Sequence, residues 1–134
     1  MGDLTAYLNK RVMIVEDSPS MRQDLVNILK SLGFTNIKEM PDGKAAWDEL
    51  RAEAQYGTPY DLIFSDINMP IMNGLVLLKQ LRTLETYKKI PIFMVSTENE
   101  KDVIIRAIID GATDYIIKPY ESKVVVEKML ARLK

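Results

Sequence analysis

Side chains that could perform chemistry together follow directly after short apolar runs in this chain of 134 residues. Carboxylates packed closely together repel one another unless a cation neutralises them. Oxygen ligands without histidine or cysteine select a hard ion, Mg²⁺ before Zn²⁺. A carboxylate in such a site can accept a phosphoryl group, while a lysine and a hydroxyl stabilise the transferring charge. The candidate residues are Glu16, Asp17, Asp66, Asn68, Ser96 and Lys118.

The composition excludes several other kinds of chemistry. Cysteine and histidine are both absent, which removes disulfides, thiol catalysis, histidine bases and most transition-metal sites. A net charge of −1 gives no general attraction to nucleic acid or to an anionic membrane. No apolar run approaches the length of a membrane span, and the start of the chain lacks a secretory signal. We therefore expect a cytoplasmic protein that binds neither nucleic acid nor membranes.

Apolar runs alternate with amphipathic stretches five times along the chain, and its length indicates one domain. The runs predict strands at 11–15, 34–40, 61–65, 90–96 and 114–118. The amphipathic stretches predict helices at 18–33, 42–57, 74–84, 98–111 and 121–134. This alternation is typical of an α/β fold with a parallel sheet that is covered by helices on both faces. Ligands in such folds bind beyond the carboxyl ends of the strands, where the candidate residues stand.

Four motifs carry a resemblance to a known family: "VEDS" (15–18), "SDINMPIMNG" (65–74), "MVSTEN" (94–99) and "DYIIKPY" (114–120). In this order, they make the chain resemble the receiver domain of two-component response regulators, and most of all the stand-alone CheY-type chemotaxis receivers. The resemblance implies a flavodoxin-like sheet of five parallel strands in the order 2-1-3-4-5, an order known for that family. Residues 1–10 are then expected to be an extension of a single receiver domain whose core spans about residues 11–133.

The same resemblance implies a role for each acidic residue of the site. Asp66 corresponds to the phosphoacceptor and Asp17 to a direct Mg²⁺ ligand. Glu16 corresponds to an acidic partner that often acts through water, although chemotaxis receivers commonly have aspartate there. Asn68 corresponds to the residue whose backbone carbonyl completes the metal site. Its side chain, together with Glu98, is expected where the family tunes dephosphorylation.

The resemblance also implies how the phosphorylated state is transmitted. Lys118 corresponds to the lysine that pairs with the phosphoryl group, and the bond before Pro119 is cis in the family. Ser96 corresponds to the switch hydroxyl, where threonine is commoner, and Tyr115 to the switch aromatic. Phosphorylation is expected to draw Ser96 toward the phosphoryl group and to let Tyr115 turn inward.

The fourth predicted helix is apolar over an unusually wide arc. At about 100° per residue, the apolar residues of "DVIIRAIIDG" spread over roughly 240° of the helix. A surface helix covers a sheet with a narrower stripe, so one apolar flank is expected to stay exposed for a partner. The resemblance favours Ile104 and Ile108 as outward-facing, with Tyr115 at the edge and Lys128 beside them on the last helix.

The expected function is that of a signalling receiver that takes its phosphoryl group from a histidine kinase and then binds a target protein. In a chemotactic system the target is the flagellar motor switch, and a phosphatase is a further possible partner. Beyond self-phosphorylation and autodephosphorylation, no enzymatic activity is expected. Because the chain ends at about the end of the last helix, output by protein contact is expected.

Three alternatives remain open at this stage. The first is a stand-alone phosphorelay carrier, which passes its phosphoryl group to another histidine protein. The second is a small Mg²⁺-dependent aspartyl phosphohydrolase, whose general acid would be an aspartate at the position of Asn68. The third is a flavodoxin-like cofactor carrier, which needs a phosphate-binding loop where this chain has the acidic "EDSPS" (16–20).

Overall fold

The structure is a computed structural model that describes residues 3–133. The strands are Val12–Val15 (β1), Ile37–Met40 (β2), Leu62–Ser65 (β3), Ile92–Ser96 (β4) and Asp114–Ile117 (β5). The helices are Pro19–Ser31 (α1), Gly43–Tyr56 (α2), Gly74–Arg82 (α3), Lys101–Ile109 (α4) and Ser122–Arg132 (α5). The strands form one parallel sheet in the order β2-β1-β3-β4-β5, so the expected fold class is confirmed.

Two predicted elements are each three residues too long at their amino ends. The second strand starts at Ile37 rather than at Phe34, because the Phe34 N–H still bonds the Leu29 carbonyl of α1 after the chain turns at Gly33, where φ is 105°. The fourth helix starts at Lys101 rather than at Glu98. The backbone of Glu98 instead forms hydrogen bonds with side chains of β4 and β5: its N–H donates to the Ser96 Oγ, and its carbonyl oxygen accepts the Tyr115 hydroxyl.

The sheet separates two apolar clusters because successive side chains of a strand point to opposite faces. From β1, Val12 and Ile14 pack on the side of α1 and α5, while Met13 and Val15 pack on the side of α2, α3 and α4. The four residues of β1 and the four of β3 are all buried. This double burial holds the ends of β1 and β3 rigidly, and these are the strands that carry the three candidate carboxylates.

The segment before β1 packs against the domain core. Leu4 is buried in the cluster on the side of α1 and α5, and Thr5–Tyr7 forms a short 3₁₀ turn. The Thr35 N–H donates to the carbonyl oxygen of Leu8 at 3.1 Å. Described residues of the predicted extension therefore cover one end of the core. Within residues 3–133, none of the helices combines the length and the apolar character that crossing a bilayer requires.

The first turn of α3 lies directly against the end of β3. The Asn73 side chain caps this helix by accepting the Val76 N–H at 3.0 Å. A Cβ atom on Gly74 would lie 1.8 Å from the carbonyl oxygen of Asp66, far inside van der Waals contact. Only glycine therefore allows α3 to approach the strand end that carries Asp66.

We predict that Gly74→Ala lowers the free energy of unfolding by about 3 kcal/mol, because the added methyl must displace α3 or the Asp66 backbone. Urea denaturation measures this loss. Gly57→Ala is the matched control. Gly57 ends α2 with φ of 81° and has open space around an added Cβ. The free energy of unfolding should therefore fall by only about 1 kcal/mol, because alanine disfavours this left-handed backbone conformation. Equal losses in the two variants would contradict the close approach at Gly74.

Candidate functional site

Three carboxylates meet at the carboxyl ends of β1 and β3, which are neighbours in the sheet. Glu16 and Asp17 directly follow β1, and Asp66 directly follows β3. Each offers an oxygen that lies within 4.8 Å of an oxygen of the other two. Glu16 and Asp66 are buried, whereas Asp17 is exposed at the opening of the site. This oxygen-only donor set fits a hard divalent cation such as Mg²⁺.

A buried lysine lies against two of these carboxylates. The Lys118 Nζ is 2.6 Å from Glu16 Oε1 and 3.3 Å from Asp66 Oδ2. Its backbone N–H donates to the Ser96 carbonyl oxygen at 2.8 Å, and its bond to Pro119 is cis. One ammonium group cannot balance three ionised carboxylates: three negative charges less one positive charge leave two negative charges. The remaining charge is what a divalent cation would neutralise.

The two oxygens of Asp66 have different surroundings. Oδ1 accepts the Ile67 N–H at 2.7 Å, while Oδ2 faces Lys118. The Asp66 N–H donates to the Val15 carbonyl oxygen at 2.9 Å and so continues the pairing of β3 with β1. Strand and loop therefore fix the carboxylate with one oxygen directed toward the ammonium group.

Glu16 has hydrogen-bond donors at both carboxylate oxygens. Oε1 accepts from Lys118, and Oε2 accepts the Ser18 N–H at 3.1 Å. Burial raises the pKa of the Glu16 carboxyl above its ordinary value, and the hydrogen bonds from Lys118 and Ser18 act against that increase. Because both oxygens already have donors, this geometry favours contact between Glu16 and a metal through water.

Glu98 connects three of the residues that the sequence singled out. Its N–H donates to the Ser96 Oγ at 3.2 Å, and its carbonyl oxygen accepts the Tyr115 hydroxyl at 2.7 Å. Its carboxylate accepts the Asn68 side-chain amide at 2.8 Å. Burial raises the pKa of the Tyr115 phenol, which keeps the hydroxyl protonated as a donor. Tyr115 already points inward in this structure, although an edge position was expected before phosphorylation.

The outer face of α4 differs from the prediction in one residue. Ile108 is exposed as expected, but Ile104 is only partly exposed because it packs against the buried cluster beneath the helix. At about 100° per residue, Ile104 lies only about 60° around the helix from the buried Ala107, whereas Ile108 lies about 100° away. Ile105 and Ile109 are exposed in its place.

A surface hollow of about 310 Å³ lies between β5 and α5. Tyr115 and Lys128 line it, and the exposed Ile117 of β5 extends its apolar wall. The Lys128 Nζ donates to Asp114 Oδ1 at 3.2 Å, which holds this lysine beside β5. Lys128 therefore lies beside Tyr115, next to a hollow that the sequence pattern did not reveal.

Met21 and the Asn73–Gly74 pair lie near the acceptor in positions that their sequence pattern does not predict. Helical spacing from Leu25 and Ile28 predicts that Met21 faces inward, yet it is 40% exposed and its sulfur lies 3.3 Å from the Lys118 Nζ. Its place in the first turn, three residues after the capping Ser18, is the signal that could have placed it near the strand ends. The Asn73–Gly74 dipeptide is typical of an ordinary turn, but here Asn73 caps α3 and Gly74 permits the close contact with β3.

Comparison with known proteins gives the family. The family model described as "response regulator receiver domain" matches residues 12–130. The chain belongs to this family. Receiver domains among its relatives include chemotaxis protein CheY1 of Helicobacter pylori strain 26695, 38% identical over 119 residues that cover 89% of this chain and 93% of the relative. Chemotaxis protein CheY-3 of Vibrio cholerae is 36% identical over 128 residues, with 94% and 95% covered.

Solved structures of receiver domains superpose closely on this one. The CheX–CheY–BeF₃–Mg²⁺ complex from Borrelia burgdorferi matches with a TM-score of 0.84 and 26% identity, over 98% of this chain and 96% of the matched chain. Chemotaxis protein CheY4 of Vibrio cholerae matches with a TM-score of 0.80 and 31% identity, over 93% and 99%. The flavodoxin-like topology and the receiver family are therefore both confirmed.

We predict that Asp17→Asn weakens Mg²⁺ binding by about tenfold or more, because it removes one charged ligand from the cluster. Isothermal titration calorimetry measures the affinity directly. Asp48→Asn, which changes an exposed carboxylate on α2, is the control and should bind Mg²⁺ as the parent does. If both variants bind Mg²⁺ equally well, the ion does not use Asp17.

Proposed function

We propose that this receiver domain accepts a phosphoryl group on Asp66 and, once phosphorylated, binds a target protein that controls chemotaxis or motility in the cytoplasm. The observation that carries the proposal is the position of Asp66 Oδ2, 3.3 Å from the Lys118 ammonium and within the acidic cluster. The chemotaxis proteins among its relatives support the proposed output. The proposed phosphodonor is the phosphohistidine of a histidine kinase, because these 134 residues contain no histidine.

The proposed transfer uses the two different oxygens of Asp66. A lone pair on Oδ2 forms the new bond to phosphorus, and the bond from phosphorus to the donor's leaving atom breaks. The Ile67 N–H holds Oδ1 in place, and the Lys118 ammonium balances charge on the incoming phosphoryl oxygens. Mg²⁺, when it is held by Asp17, Asp66 and the Asn68 carbonyl, supplies further neutralisation of that charge.

Return to the resting state is proposed to depend on Asn68 and Glu98. Both side chains lie at the open side of the acceptor and are hydrogen-bonded to each other. Separating them would open a path for water, or for a phosphatase partner, to the acyl phosphate. The amide of Asn68 cannot act as the general acid that an aspartyl phosphohydrolase needs. Autodephosphorylation is therefore the only hydrolysis that we propose for this protein.

Membership of the receiver family favours neither the aspartyl phosphohydrolase nor the phosphorelay carrier.

The output face is proposed to be built from α4, β5 and α5. Ser96 ends β4, which neighbours β3 in the sheet; its Oγ accepts the Glu98 N–H, and the Glu98 carbonyl oxygen accepts the Tyr115 hydroxyl. A phosphoryl group that draws the Ser96 hydroxyl would therefore stabilise the inward Tyr115 and the hollow beside it. This is a population shift between two states of one surface. The proposed target is the flagellar motor switch of the same cell.

We predict that Asp66→Asn takes no detectable label from acetyl phosphate in the presence of Mg²⁺, because an amide oxygen cannot form the acyl phosphate. Labelling is followed by mass spectrometry of the intact protein. Asp48→Asn should be labelled at the rate of the parent. Full labelling of Asp66→Asn would place the phosphoacceptor elsewhere.

A second test concerns the output face. Ile108→Asp should weaken binding of the phosphorylated form to a flagellar motor switch protein by about tenfold, because a charge replaces an exposed apolar contact. Labelling of Asp66 and thermal unfolding should stay close to those of the parent. Tyr56→Asp, an equally drastic change at an exposed apolar residue of α2, is the matched control. Unimpaired binding by Ile108→Asp would show that the target binds elsewhere.

A further inference from the structure

The methionines of this protein differ greatly in their access to solvent. Seven of the eight lie within residues 3–133, and among these Met21 is the most exposed, at 40%. Met72 is half-buried, and the other five are buried: Met13, Met40, Met69, Met94 and Met129. A dissolved oxidant must reach the sulfur of a methionine, so among these seven residues Met21 should be oxidised first.

The sulfur of Met21 also lies at the functional site. Its Sδ is 3.3 Å from the Nζ of Lys118, the same ammonium group that contacts Glu16 and Asp66. A thioether is a weak hydrogen-bond acceptor, so it competes little with the two carboxylates. The helix cap fixes the backbone here, because the Met21 N–H donates to the Ser18 Oγ. The oxidisable atom of a partly exposed residue is thus held directly against the proposed phosphoryl-binding lysine.

We propose that Met21 is a modification site for hydroperoxides and that its oxidation to the sulfoxide slows phosphorylation of Asp66. This inference rests on the proposed phosphoacceptor role of Asp66. In the modification, a sulfur lone pair forms a bond to one peroxide oxygen and the O–O bond breaks. The proton on the transferred oxygen passes to the other oxygen, which leaves as water, or as an alcohol from an organic peroxide. The sulfur loses two electrons, and the peroxide gains them.

The added oxygen would change the site in two ways. A sulfoxide oxygen is a strong acceptor, so it would draw the Lys118 ammonium away from Asp66 Oδ2. The recess bounded by Met21, Glu16, Asp66 and Lys118 is only about 10 Å³, about the space of one water molecule. An oxygen on the Met21 sulfur would occupy this recess and present partial negative charge to the incoming phosphoryl group.

The modification is reversible in chemical terms. Methionine sulfoxide reductases release the sulfoxide oxygen as water, with protons and electrons from two thiols that form a disulfide, and the thioether is restored. Because the chain has no cysteine, peroxide cannot act on it through a thiol. A methionine is therefore the residue type through which peroxide could control this receiver reversibly.

The experiment compares each protein with itself before and after limited treatment with hydrogen peroxide. Peptide mass spectrometry should find the sulfoxide at Met21 before it appears at the other methionines of residues 3–133. The rate at which acetyl phosphate and Mg²⁺ label Asp66 should then fall about threefold or more, the effect of losing one hydrogen bond. Treatment with methionine sulfoxide reductases should restore the rate, and the thermal unfolding midpoint should stay unchanged.

Two variants show whether the effect passes through Met21. Met21→Leu keeps the volume without the sulfur, so peroxide should leave its labelling rate unchanged, whatever its starting rate. Met72→Leu, the matched control, should respond to peroxide as the parent does. Preferential oxidation of another methionine in residues 3–133, or an unchanged rate in the parent once Met21 is oxidised, would overturn the inference. Failure of the untreated parent to take label on Asp66 would instead refute the proposed function on which it rests.

Discussion

The concentration of like charge at one end of the sheet is the constraint on which the rest of the structure depends. Glu16 and Asp66 are buried with a single buried cation, Lys118, between them, and Asp17 adds a third carboxylate at the opening. Burying charge is costly unless every charge is paired and hydrogen-bonded. Hydrogen bonds from the backbone at Ser18 and Ile67 meet this requirement only while the strand ends stay in register.

The surrounding fold supplies the rigidity that this arrangement needs. β1 and β3 are buried on both faces, so their ends cannot shift without opening two apolar clusters. Helix α3 begins directly against the Asp66 carbonyl because Gly74 has no side chain. Lys118 follows β5, which is separated from β3 by β4, yet its side chain contacts Asp66. The hydrogen bond from its backbone N–H to the Ser96 carbonyl oxygen holds it at the distance that allows this contact. The apolar packing of the strands thus holds the charged side chains in contact at one edge of the sheet.

The sequence allowed the fold and the identity of the charged residues to be predicted, for physical reasons that are local. Apolar runs such as 61–65 identify buried strands, and parallel strands bring their carboxyl ends to one edge whatever their order. The strand order came from the resemblance.

The position of Met21 and the partial burial of Ile104 depend on how far each helix is rotated against the sheet. That rotation is set by contacts between distant residues, which periodicity in one segment does not encode. The inward Tyr115 depends likewise on a carbonyl that lies 17 residues earlier in the chain.

The main chain and the side chain of Glu98 form hydrogen bonds with different residues. Its main-chain N–H and carbonyl serve Ser96 and Tyr115, whereas its carboxylate serves Asn68. A substitution at this position therefore replaces the carboxylate that contacts Asn68 beside the proposed acceptor but leaves both main-chain bonds available. Under the proposed function, variation at this one codon would adjust the duration of a signal, from brief to prolonged, without altering how that signal reaches the target. Evolution of response time and evolution of the output surface would then proceed independently in descendants of this protein.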